Sequence, residues 1–200
     1  MCRLWKINHP IKMSANLKKN KIWLFFKRLF IVFTLLVFLC GFLSWYAITH
    51  LMDSKEPRVC FLYTQKYPFP DILFKISAVP LALTSYVVYR KDVFKIDALR
   101  WPRVLEAFKK AEFLIIGTHG ENGDFLTDDN VWIQPNGEIH PQLKFLYFGS
   151  CDIGRKQAQW QRKFPQATLK SVNRLYNPKE GGVYMVFQSS LDLIRMKMTK

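Results

Sequence analysis

The chain has few cysteines, and they form no familiar motif. Its four cysteines, Cys2, Cys40, Cys60 and Cys151, lie far apart, without a CxxC pair or a nearby pair of histidines. This spacing argues against a zinc finger and against a small domain held together by disulfides. Ten prolines and nine glycines in a 200-residue sequence that is 50% hydrophobic also exclude a collagen-like, low-complexity or disordered chain. Part of the chain therefore folds around a core.

Acidic residues are absent from the first 52 positions, which contain eight of the 30 basic residues. The net charge of +15 is therefore concentrated near the N-terminus. No P-loop glycine pattern and no RNP-like sequence accompanies it, so we expect no nucleic-acid partner. Asp124, Asp128 and Asp129 lack the alternate spacing and the bidentate Glu of an EF-hand. The sequence predicts neither a metal site nor a cofactor.

A run of twenty residues from Leu29 to Ile48 contains no charged side chain, and thirteen of the twenty are Leu, Ile, Phe or Val. At 1.5 Å per residue, a helix of this length crosses a hydrocarbon core of about 30 Å. Five basic residues precede the run between Lys18 and Arg28, and basic flanks stay in the cytoplasm. The sequence thus predicts a cytoplasmic tail (1–28), an uncleaved transmembrane signal anchor (29–52) and an extracytoplasmic domain (53–200).

Two alternatives to that anchor remain open. A cleaved signal peptide would have a shorter apolar region and a small-x-small cleavage site, and Ser44 to Ile48 supplies a poor one. A buried globular helix would not carry a cationic cluster beside twenty uncharged residues.

Residues 1–20 show no periodicity and are expected to be a disordered tail that contacts anionic lipid headgroups. Either Met1 or Met13 could start the chain.

Strand-like and helix-like segments alternate beyond His50. We expect strands at 58–64, 85–89, 113–118, 144–150 and 168–175, and helices from Pro70, from Pro102 and over 157–164. Residues 131–134 and 137–140 suggest a small hairpin, and the segment from Gly182 is compatible with a strand or a helix. Such alternation predicts a three-layer α/β domain with a mainly parallel sheet.

Two chemically active side chains follow apolar strands of this sheet. His119 follows FLIIGT, and Cys151 follows KFLYFGS. Working residues of open α/β sheets lie beyond the carboxyl ends of the strands, so neighbouring strands would bring both side chains to one pocket. There the imidazole can take the thiol proton and the thiolate can attack a carbonyl. By analogy with such sites, the backbone amide of Gly120 could stabilise the oxyanion.

The segment from Thr118 to Gly120 (THG), followed by Leu146 to Gly154 (LYFGSCDIG), resembles the caspase-like cysteine peptidase group, and within it the CHAT and gingipain-type domains. The resemblance implies a caspase-like three-layer sandwich with His119 and Cys151 as a catalytic dyad. Asp124 and Asp152 could favour a basic residue in a peptide or protein substrate. The caspase-like strand order would separate the strands of Cys60 and Cys151, so we expect both thiols to be free.

Three functions are compatible with these patterns. The first is an anchored thiol peptidase, the second a catalytically inactive caspase-like module that binds a protein partner at the membrane, and the third a basic domain that lies on anionic lipid. His119 could instead be a structural histidine, and Cys151 a buried inert thiol. His140 is expected to be a solvated surface residue.

Overall fold

The computed structural model describes residues 12–66, 71–149, 152–171 and 178–198, so Cys151 lies outside the described residues. The chain divides into two compact units, Met1–Leu43 and Ser44–Lys200. The second unit contains all the strands that the structure describes, and it also includes the last two turns of the first helix.

The first helix, α1 (Lys12–His50), contains the apolar run. Its portion Ile22–His50 has a mean hydropathy of 2.3 and is long and apolar enough to cross a membrane. Helix α2 (Asp71–Tyr89), with a mean hydropathy of 1.6, meets the same criterion of length and composition. Within α1, the Thr34 hydroxyl donates to the Phe30 carbonyl at 2.8 Å, which satisfies it inside the helix. The expected disordered tail is wrong for residues 12–20, which are helical.

A five-stranded sheet forms the centre of the second unit. Its strands are β1 (Val59–Tyr63), β2 (Phe94–Ala98), β3 (Phe113–Gly117), β7 (Phe145–Gly149) and β8 (Thr168–Ser171). All of their pairings are parallel, and the strands lie in the order β2-β1-β3-β7-β8. A small antiparallel sheet of β4 (Gly120–Glu121), β5 (Asp124–Leu126) and β6 (Trp132–Ile133) lies between β3 and β7 along the chain. The predicted α/β class with a mainly parallel sheet is confirmed.

Helices cover both faces of the large sheet. Helices α2 and α5 (Pro178–Met198) pack on the face that carries Phe61, Ile115 and Tyr147. Helices α3 (Trp101–Lys110) and α4 (Gln157–Lys163) pack on the face that carries Leu62, Ile116 and Phe148. Because both sides of each central strand are buried, these strands read as continuous apolar runs in the sequence.

The expected strand at 85–89 is wrong, because those residues form the last turns of α2. Leu81, Ala82 and Ser85 are buried at helical spacing, and the Ser85 hydroxyl donates to the Leu81 carbonyl at 2.7 Å. The second strand is instead β2, at the edge of the sheet. Its apolar residues pack inward while Lys95 and Asp97 form ion pairs along the rim.

The expected hairpin at 131–140 is also wrong. Residues 132–133 form β6, but they pair with β5, and residues 137–140 form no strand. The ambiguous C-terminal segment is a helix, α5. The expected strand from Thr168 is confirmed as far as Ser171, and its continuation to residue 175 lies outside the described residues. Helix α3 and the helix over 157–163 agree with the sequence prediction.

Candidate functional site

Strands β3 and β7 are adjacent and parallel, and their last residues, Gly117 and Gly149, face each other in register. His119 lies two residues beyond Gly117. Cys151 is two residues beyond Gly149 along the chain. The expectation that the strands preceding His119 and Cys151 are neighbours is therefore met, and both strands run toward the same edge of the sheet.

The hairpin of β4 and β5 begins directly after His119, whose side chain is exposed. Its two-residue turn contains Asn122 and Gly123, with φ angles of 52° and 87°, and two positive φ values define a type I′ turn. The Leu126 amide donates to the His119 carbonyl at 3.0 Å. Since hydrogen-bonded and non-bonded pairs alternate in an antiparallel ladder, the pair Gly120–Phe125 is a non-bonded one. The N–H of Gly120 therefore donates no hydrogen bond within the ladder of β4 and β5.

The hairpin is held against the segment that follows Cys151. The ammonium of Lys156 lies 2.7 and 2.8 Å from the two carboxylate oxygens of Asp124. The indole of Trp160 donates to the Gly123 carbonyl at 2.9 Å, and it is completely buried. These contacts fix the two loops that follow β3 and β7 to each other.

The two acidic residues predicted to line a substrate pocket have different surroundings. The carboxylate of Asp124 is buried, and the ammonium of Lys156 already neutralises its charge. Asp152 has a left-handed backbone, with φ of 58°, and its side chain is 37% exposed. A guanidinium nitrogen of Arg155 lies 3.5 Å from its carboxylate. Asp152 is thus the more accessible of the two carboxylates.

Sequence reasoning missed a set of hydrogen bonds at the same edge of the sheet. The Thr64 hydroxyl, just past β1, donates to the carboxylate of Asp128 at 2.5 Å, and the Gln65 amide donates to the same carboxylate at 3.1 Å. The neighbouring Asp129 accepts a hydrogen bond from the Trp101 amide at 3.2 Å, which caps the first turn of α3. These two aspartates bind the long loop to the end of β1 and to the start of α3.

Cys60 is a free and buried thiol in β1. Burial raises its pKa to about 12, with a smaller opposing effect from the charge of Lys95, so this thiol is protonated near neutral pH. Strand β3 separates β1 from β7, as the strand order inferred from the resemblance requires. Cys60 is therefore a packing residue and not a candidate nucleophile.

His140 is not a surface residue, and the expectation that it is solvated is wrong. Only 3% of it is exposed, and its ring lies against Phe108 and Phe164 at centroid distances of 5.5 and 5.9 Å. Burial lowers the pKa of His140, and the nearby charge of Lys163 lowers it further. The side chain is thus a neutral member of an aromatic core cluster.

Among the residues described, no group of three or more His, Cys, Asp or Glu side chains is arranged to hold a metal ion.

A scan against protein-family models found no match to the chain. A search of curated proteins also found none. The function is therefore inferred from the site and the sequence pattern alone.

Proposed function

We propose that the protein is a membrane-anchored cysteine endopeptidase with a caspase-like domain, in which Cys151 and His119 form a catalytic dyad. One observation carries this proposal: both residues follow the paired glycines Gly117 and Gly149 by the same number of positions, on adjacent parallel strands. The sheet order and the helices on both sides are compatible with a caspase-like sandwich. Other doubly wound folds share this order, so the histidine–cysteine pattern is the more specific support.

The proposed reaction follows the chemistry of a thiol peptidase. His119 takes the proton of the Cys151 thiol, and the thiolate attacks the carbonyl carbon of the peptide bond. The N–H of Gly120, which the hairpin ladder does not engage, donates to the oxyanion. The imidazolium then protonates the leaving amine, and water hydrolyses the thioester that remains. The exposure of Asp152 favours a substrate with a basic side chain near the cleaved bond.

The helix α1 is proposed as an uncleaved signal anchor, with the N-terminus in the cytoplasm. Its apolar portion is long enough to span a bilayer, and the basic residues that precede Leu29 favour this orientation. The α/β domain would then lie outside the cytoplasm.

Peptide cleavage and labelling by an electrophilic peptide probe test the proposed peptidase. Cys151→Ala is expected to abolish both, and His119→Ala to slow acylation by orders of magnitude while a strong electrophile still labels the protein slowly. Cys60→Ala is the matched control, and it should retain both activities if it remains folded. A folded, reduced protein that resists the probe would leave the inactive partner-binding module as the better account.

A further inference from the structure

Helix α2 carries apolar residues on both its inner and its outer side. Its charged residues are Asp71 and Lys75, both near its start. One side packs on the sheet through Ala78, Leu81 and Ala82. The other side exposes apolar residues at helical spacing, among them Ile72, Ile76 and Val87. Because an apolar helix normally buries all its sides, the outer side of α2 is suited to an apolar environment.

Helix α5 also has apolar residues both on the side that is buried against the sheet and on the side that is exposed. Met185, Val186 and Leu193 are buried against the sheet. Phe187, Leu191 and Ile194, spaced by four and three residues, are 58%, 37% and 37% exposed. A stripe with this spacing lies along one side of a helix.

The two stripes belong to neighbouring helices. Helices α2 and α5 pack together on one face of the sheet and share one core. Their C-terminal ends also meet, since the Lys197 ammonium lies 4.0 Å from the centre of the Tyr89 ring. We call the combined surface the α2–α5 apolar face, defined by Ile72, Ile76, Val87, Phe187, Leu191 and Ile194. Exposed apolar side chains grouped on neighbouring helices are typical of a surface that contacts a partner or a membrane.

The charges beside this face are mainly basic. Among the side chains described on α2 and α5, those of Asp71, Lys75 and Arg195 reach solvent, while the carboxylate of Asp192 is buried and paired with Lys170. Arg90 and Lys91 directly follow α2, and one exposed acidic residue, Asp92, comes after them. A second copy of the chain would bring these basic groups together, whereas anionic lipid headgroups would complement them.

We propose that the α2–α5 apolar face docks on the surface of the bilayer, with its apolar residues at the boundary between headgroups and acyl chains. The proposal rests on the membrane anchoring proposed above. Leu51 and Met52 follow the apolar run closely along the chain, and together with Ala47 near the end of the run they are buried in the core that α2 and α5 share. No long linker therefore separates the run from the domain, and such tethering makes a weak surface contact effective.

Photocrosslinking of the full chain in lipid vesicles tests this docking. Phe187 or Ile76 is replaced by p-benzoylphenylalanine, and the protein is reconstituted into phosphatidylcholine vesicles with or without phosphatidylglycerol. Trp132 provides the matched control, since it is an exposed aromatic residue on β6, outside the α2–α5 apolar face. We expect lipid adducts by mass spectrometry at positions 187 and 76, in several-fold excess over position 132, and more of them with phosphatidylglycerol.

The other outcomes overturn the proposal. Adducts between two copies would make the α2–α5 apolar face a dimer interface, and adducts to α1 of the same chain would make it an intramolecular contact. Equal lipid labelling at positions 132 and 187, or none at 187 and 76, would exclude specific docking. Extraction by alkaline carbonate is measured in parallel. Release of the protein would refute the anchoring itself, whereas retention without lipid adducts would refute only the docking.

Discussion

Glu112 places one negative charge among three basic side chains, at the opposite end of the sheet from the candidate site. Its carboxylate oxygens lie 3.2 Å from Arg58, 3.2 Å from Lys144 and 3.4 Å from Lys197. The hydroxyl of Tyr89 donates to the same carboxylate at 3.3 Å. These partners come from the starts of β1 and β7 and the ends of α2 and α5. Loss of this charge would leave three cations close together.

We therefore expect Glu112→Gln to lower the free energy of unfolding by about 1–3 kcal/mol at neutral pH, as measured by urea denaturation. Glu138→Gln is the control, because Glu138 forms an exposed ion pair with Lys109, and its loss should cost under about 1 kcal/mol. Equal effects of the two variants would show that the charges around Glu112 do not stabilise the fold.

The pH dependence of this effect has a definite sign. Burial raises the pKa of Glu112, but the hydrogen bond from Lys144 and the charge of Lys197 outweigh burial, so the pKa lies below its ordinary value of 4.5. A carboxyl group whose pKa is lower in the folded than in the unfolded state stabilises the protein at pH values above its unfolded-state pKa. This stabilisation is lost as the pH falls through the folded-state pKa. The difference in the free energy of unfolding between wild type and Glu112→Gln should therefore shrink below about pH 4.5. A difference that grows in acid would contradict this assignment.

Single residues could be predicted from the sequence where local context determines their position. His119 follows a strand directly, so its place at the carboxyl edge of the sheet required only the recognition of that strand. His140 could not be placed in this way. Its burial depends on Phe108 of α3 and Phe164, which are distant in sequence and meet it only in the folded chain.

At the scale of elements, the β4–β5 hairpin depends on Gly123. Its φ of +87° strains any other residue, and a Cβ there would lie 2.4 Å from Cγ of Lys156. Gly137 provides a matched position, because its φ is +93° while a Cβ would meet only the Lys163 ammonium, at 3.8 Å. The two glycines thus share their backbone strain and differ in the space around them.

We expect Gly137→Ala to cost about 1 kcal/mol of stability, from backbone strain alone. Gly123→Ala should cost about 2–3 kcal/mol, because the added methyl also displaces the stem of Lys156 and loosens the hairpin. Chemical denaturation of both variants measures the difference. Equal costs would show that contact with Lys156 does not hold the hairpin in place.

Two elements that the sequence prediction missed have recognisable sequence patterns. The Asn122–Gly123 pair is a strong indicator of a two-residue hairpin, and the alternation of Phe94 to Ala98 (FKIDA) is that of a half-buried strand. The SYVVY segment favours a strand by its β-branched and aromatic residues. Packing of Leu81, Ala82 and Ser85 on the sheet overrides that preference and continues α2 as a helix.

At the scale of the whole molecule, the proposed orientation places Met1 to Arg28 in the cytoplasm and Asp53 to Lys200 outside it. A reporter that is active only outside the cytoplasm, fused after Lys200, is expected to be active. The matched control has the same fusion with Lys18, Lys19, Lys21, Lys27 and Arg28 replaced by Gln, and loss of the basic flank should reduce the correctly oriented fraction. Activity of a cytoplasm-only reporter after Lys200 in the unmodified chain would contradict the proposed orientation.

The most direct test of the central claim is the pH dependence of Cys151 alkylation by iodoacetamide, measured by mass spectrometry of the folded full chain and its His119→Ala variant. The partly exposed carboxylate of Asp152 disfavours the thiolate, so in the proposed dyad the imidazole must promote thiolate formation. Cys60 provides an internal reference, because its burial and its pKa of about 12 should keep it unlabelled. We predict that wild-type Cys151 reacts well below the ordinary thiol pKa of about 8.5, and that His119→Ala shifts its reaction to about 8.5 or higher. Identical pH profiles in the two proteins would contradict the proposed dyad.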